Sequence, residues 1–153
     1  MNGHARQSMR HGLPFLLAFH FLCGCDTRLA GQGSWRGQLR SFEGLNAAHG
    51  PVVPAAALHV ESGPGLTRPN TVDHGGGTPF NVNGWEAILI DSRGRVLDPG
   101  KYGLGRRVEA SGFMQLREVY APDGQWISKG GTGSAPHWLT LRPKKIRYLD
   151  PAE

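Results

Sequence analysis

The chain has 153 residues, a formal charge of +5, 23 Gly, 11 Pro, four Trp and two Cys. That length holds one domain rather than two, and so much Gly and Pro describes a thin core with long loops. The basic surplus is spread along the sequence without a concentrated stripe or a nucleic-acid motif, which argues against a nucleic-acid partner.

Residues 1–25 divide into three parts. "MNGHARQSMRH" carries Arg6 and Arg10 and no acid, "LPFLLAFHFL" is mostly apolar, and small Gly24 precedes Cys25. A basic start, an apolar middle and a small residue before the cut are the parts of a secretory signal. The apolar stretch is shorter than the ~20 residues a helix needs to span a bilayer. Cys23 and Cys25 are the only cysteines. A disulfide across one intervening residue is strained, and a zinc site lacks its further ligands, since no CxxC or HxxxH partner is present. On the residues alone, a soft-metal C-x-C pair or two buried thiols in an N-terminal helix stay open.

The run Leu22-Cys23-Gly24-Cys25 resembles the lipobox of bacterial lipoproteins. The resemblance implies cleavage between Gly24 and Cys25, with Leu22 and Gly24 as the cleavage flank, and attachment of diacylglycerol and an N-acyl chain to Cys25. Residues 1–24 would then be a signal peptide, and the mature chain would hang from a membrane of the bacterial cell envelope, facing the periplasm. Several acyl chains make such anchoring stable where one does not. Removal of Arg6 and Arg10 leaves a charge of +3 (15 − 12).

Residues 25–43 are polar and Gly-containing and predict a flexible tether after the lipidated cysteine, with Trp35 docking at its end. A single β-rich domain is expected over 44–149, followed by a tail at 150–153. Between Gly44 and Gly84 only "AAALHV" (55–60) reads as a strand or a short turn of helix, and the remainder as loop. "WEAILI" (85–90), "DSRG" (91–94) and "RVL" (95–97) predict a hairpin, with Asp and Gly placed for a type I turn. "DPGKYGL" (98–104) resembles the start of a strand in small immunoglobulin-like or carboxypeptidase-regulatory-like domains. "FMQLREVYA" (113–121) alternates, and "PDGQ" (122–125) turns it back into "WIS" (126–128). "HWLTL" (137–141) and "KIRYL" (145–149) predict a last hairpin joined through Arg142-Pro143-Lys144. The expected fold is mainly β, a small antiparallel sandwich or barrel with long Gly/Pro-rich loops after an N-terminal signal helix.

Chemistry-bearing residues are few. "VDHGGG" (72–77) resembles the oxyanion loop of some esterases, but no G-x-S-x-G accompanies it, and a glycine turn capped by Asp73 is the simpler reading. His49, His59, His74 and His137 lack the spacing of metal ligands, so no metal and no cofactor are expected. "KGGTGS" (129–134) lacks the Lys and helix of a phosphate loop and reads as a hairpin loop. Arg142, Lys144, Lys145 and Arg147 crowd into six residues, and can meet anionic head groups or an acidic partner, or merely keep an edge strand from pairing. The expected function is non-catalytic binding of a macromolecular envelope partner, as an assembly factor or an immunity-type inhibitor. The alternative is a membrane-tethered hydrolase using Asp73, His74 and the glycine loop.

Overall fold

A computed structural model describes residues 28–47, 50–68, 78–127 and 137–149. Five strands make it mainly β: β1 (Ala30–Phe42), β2 (Ala55–Ser62), β3 (Glu86–Leu89), β4 (Arg107–Arg117) and β5 (Trp138–Tyr148). They close into a barrel in the order β1-β2-β3-β5-β4 and back to β1. All pairs are antiparallel except β3 with β5. The spatial order β4-β1-β2-β3 is that of a Greek key.

Closure requires β1 to serve two neighbours. Its first part, from Ala30 to Gln38, pairs with β4, and its later part, from Arg36 to Phe42, pairs with β2. Crossing paired residues from Arg40 through Ala57, Ile88, Thr140 and Gln115 returns to β1 at Ala30, ten residues earlier (40 − 30). That stagger tilts every strand steeply around the barrel axis. β1, β3 and β5 run one way, and β2 and β4 the other. One end therefore carries the start of β1 with residues 63–68 and 78–85, and the other carries 43–47, 50–54, 90–106 and Leu149, where the 120–127 hairpin joins them by pairing with Arg95 and Ala47.

Two bulges make the curvature possible. The β1–β2 register shifts between Arg36 and Gly37, and the β4–β5 register shifts between Ser111 and Gly112. At each bulge the neighbouring backbone comes too close for a side chain. A methyl on Gly37 would overlap the His59 carbonyl oxygen, and one on Gly112 the Arg142 carbonyl oxygen.

The barrel interior is filled from alternate positions: Trp35 and Leu39 from β1, Leu58 and Val60 from β2, Leu89 from β3, Met114 from β4, Leu141 from β5. Trp35 is fully buried, and its indole N–H donates to the Pro64 carbonyl at 2.8 Å. A second core lies outside the barrel. Ile88 and Ile90 point away from the interior and are buried with Leu45 from the segment after β1, Val96 from the segment after β3, and Val119 and Ile127 from the segment after β4.

Three expectations change. The tether read over 25–43 is largely the longest strand, so the domain begins at Ala30 and not at 44. Its outward residues are Gln32, Ser34, Arg36, Gln38 and Arg40, and three of its inward residues are Gly31, Gly33 and Gly37, which disguises the two-residue alternation. Arg142-Pro143-Lys144 is not a turn but the bulge within one continuous β5, where Lys144 is skipped in the pairing and Pro143 is tolerated. The Pro99–Lys101 segment is a single 3₁₀ turn capped by the Asp98 carboxylate rather than the start of a strand. The two turns at 91–94 and 122–125 form as expected, closed by Ile90 against Val96 and Tyr120 against Trp126.

Replacing Gly37 or Gly112 with Ala is expected to destabilise the fold by roughly 1–3 kcal/mol through forced backbone displacement. Gly50→Ala, whose new methyl meets only Ala47 at 3.4 Å, stays within about 0.5 kcal/mol of the wild type. Urea denaturation of the three variants measures the difference.

Candidate functional site

The bulge in β5 decides what the second half of that strand displays. Arg142 and Lys144 are exposed, and after the skipped position Lys145 and Arg147 are exposed as well. Register places Lys145 opposite Ser111 and Arg147 opposite Glu109, while β1 brings Arg36 to the other side of Glu109. The outer wall of β1, β4 and β5 thus carries five cations and one strand carboxylate, Glu109, which Arg36 and Arg147 flank.

The contacts within this wall are specific. Arg36 Nε donates to Glu109 Oε2 at 3.0 Å, and an Arg147 guanidinium nitrogen lies 3.6 Å from Oε1. The Arg36 hydrogen bond, with the Arg147 charge beside it, holds the Glu109 carboxyl below the usual carboxylate range. Arg142 sits over the Phe113 ring, 5.6 Å from its centre. Lys144 and Lys145 make no ion pair with a described residue. Ser34 and Ser111 hydroxyls are hydrogen-bonded at 2.7 Å across the β1–β4 seam.

Beside the wall, where β5 diverges from the end of β3, lies a cavity of about 700 Å³. Ile90, Leu97, Phe113 and Pro143 give it apolar surface, Arg142 and Lys144 give it positive charge, and Asp91 adds one carboxylate. Tyr102 also lines it, and its hydroxyl makes no hydrogen bond with a described residue. Burial, with Tyr148 nearby, pushes the Tyr102 pKa up, so the phenol stays a neutral donor at neutral pH. The size is that of a pocket for one or two side chains or a small molecule.

The outer face of β2 and β3 is differently occupied. Glu86 binds His59 Nδ1 at 2.8 Å and Arg40 at 3.2 Å, and Ile88 and Ile90 are covered by the second core. Barrels of this Greek-key type can bind oligonucleotides and oligosaccharides on that face. Here half of it is closed by the chain's own loops, and architecture alone assigns no activity.

Of the sequence-read positions, Arg142, Lys144, Lys145 and Arg147 are brought onto one wall. Leu22, Cys23, Gly24, Cys25, His49, Asp73 and His74 lie outside the described residues, as do the glycine loops at 75–77 and 130–133. His59 sits in the Glu86 cluster and His137 precedes β5, and no three metal-binding side chains converge among the described residues. Sequence reading missed Arg36, which joins the wall through β1–β4 pairing, missed Glu109, which joins it through β4–β5 pairing, and missed the cavity. Comparison with family models, with curated proteins and with solved structures finds no match to this chain.

Glu109 is expected to titrate below an ordinary glutamate in a carbon-detected NMR titration. Arg36→Ala should return it most of the way and Arg147→Ala less. Because its folded pKa is depressed, the stabilisation it brings is present above the unfolded value and fades as pH falls through the folded one. The pair is exposed, so that contribution is small.

Proposed function

We propose that the chain is a lipoprotein of the bacterial cell envelope, acylated at Cys25, whose barrel binds an acidic protein partner without catalysis. The observation that carries the binding half is the wall of Arg36, Arg142, Lys144, Lys145 and Arg147 with the single Glu109 carboxylate. Charge of one sign gathered on one wall steers an oppositely charged surface and fixes its register. The adjoining cavity offers a socket for an apolar side chain of that partner, the kind of anchor that dominates interface energies.

The position of the wall favours a protein over lipid head groups. The cations occupy the second half of β5, toward the end of the barrel opposite the start of β1. Under the lipobox reading the acyl chains attach five residues before Ala30. The wall therefore stands on the side of the barrel away from the anchoring membrane. An envelope assembly factor and an inhibitor of an envelope-targeted enzyme both fit this arrangement.

Two measurements test the reading. Mass spectrometry of the native N-terminus should find an acylated peptide beginning at Cys25, and an intact Met1 or Asn2 terminus with two thiols would overturn it. Capture from detergent-solubilised envelopes should recover a specific acidic partner. The double variant Lys144→Glu, Lys145→Glu should weaken that complex at least about tenfold, equivalent to ~1.4 kcal/mol, while Lys101→Glu leaves it unchanged. Equal recovery by both variants would exclude the wall as the contact.

A further inference from the structure

A short chain and an exposed aromatic pair occur at the same end of the barrel. Ala30 begins β1 and pairs with Thr67, whose neighbour Leu66 pairs with Phe80 through hydrogen bonds of 2.9 and 2.7 Å. The 63–67 and 78–82 arms thus reach from the beginning of β1 across the barrel end. Phe80 packs edge-on against Trp85, with ring centres 5.4 Å apart and planes at 67°.

Trp85 is 50% exposed, yet its backbone is tightly held. Its carbonyl accepts from Val60 N–H at 2.9 Å, and the preceding Gly84 N–H donates to the Val60 carbonyl at 2.7 Å. The Asn81 side chain accepts from Asn83 N–H at 2.9 Å, bracing the turn below. A large ring is therefore displayed to solvent on a braced support, and Pro64 and Pro79 on the two arms are exposed as well. Phe80 beneath it packs against the barrel core, whereas Trp85 itself does not belong to either core.

From Cys25 to Ala30 is five residue steps, which span at most ~18 Å when fully extended. With the tether replaced by a strand, a lipid on Cys25 cannot hold the barrel far from the bilayer. We infer that this end of the barrel rests on the membrane, with Trp85 on its Phe80 support seated at the head-group level. The inference rests on the lipobox reading of Cys25. Tryptophan suits that depth because its apolar body and N–H match the two sides of the interface. Trp126, the other exposed tryptophan at 39%, is a poor alternative. Its hairpin pairs with Arg95 and Ala47, from the connections at the opposite end.

The test separates the docking face from the anchor. Residues 25–153 contain every described strand and one thiol, Cys25, which can be coupled to a maleimide lipid in phosphatidylethanolamine–phosphatidylglycerol vesicles. With brominated acyl chains, the tryptophan emission of the coupled protein should be quenched and blue-shifted. The quenched component should disappear in Trp85→Phe and persist in Trp126→Phe, both with wild-type melting curves. Absence of quenching overturns the inference, as does quenching that survives Trp85→Phe. A Trp85 signal that instead tracks protein concentration without vesicles assigns the face to a second copy of the chain and also overturns it. Failure here with an acylated native N-terminus removes only the docking face, whereas an unacylated native N-terminus removes the anchor whatever the vesicles report.

Discussion

β1 hydrogen-bonds to two different strands along one continuous run, and the barrel exists only because it can. The strand must bend enough for β4 to claim its beginning and β2 its end. Gly37 supplies the bend by letting the His59 carbonyl approach where any Cβ would stand in the way. Gly112 on the neighbouring β4 performs the matching task against the Arg142 carbonyl. The Trp35 indole fills the interior, Gly63 leaves it room, and Gly33 leaves room for Pro64. A buried indole N–H without a partner is costly, and the Pro64 carbonyl removes that cost by bringing the 63–67 arm over the barrel end. One tryptophan thereby ties the core to the arm that leads to Phe80.

The same closure distributes the surfaces. The bulge that accommodates Gly112 is also the point where β5 skips Lys144 and turns its last cations outward. Segments after β1, β3 and β4 bury Ile88 and Ile90 beneath a second core. That cover closes one half of the β2–β3 face and leaves the β1–β4–β5 wall as the large charged surface among the described residues. Charge and apolar cover therefore fall on different walls for a single topological reason. The pairing between Arg36 and Glu109 belongs to the same pattern, because it forms only if residues 73 apart in sequence meet across adjacent strands.

Local chemistry was legible from the sequence and long-range pairing was not. The turns at 91–94 and 122–125 depend on Asp, Gly and Pro at fixed offsets, and both form where the residues place them. β2 was readable because Leu58 and Val60 are apolar at alternating positions. β1 was not, since Gly31, Gly33 and Gly37 occupy inward positions where an alternating pattern would show Val or Leu. The first half of β4, "RVEASG", hid for a related reason: its inward residues are Val108, Ala110 and Gly112, small and widely spaced. Pro143 made β5 look like two strands, because proline in a ladder is tolerated only at irregularities such as the bulge it occupies. The basic cluster stood out as residue types, but its neighbours on the wall came from strands far away in sequence.

The barrel-strand identity of residues 30–42 underlies both the fold and the closeness of the domain to Cys25. Native-state amide hydrogen exchange measures it directly. The amides of Ala30, Trp35 and Leu39 should be protected to the level of global unfolding, together with their partners in β4 and β2. Rapid exchange throughout 30–42, with protection beginning only beyond residue 43, would return that segment to a flexible tether and contradict the closed barrel.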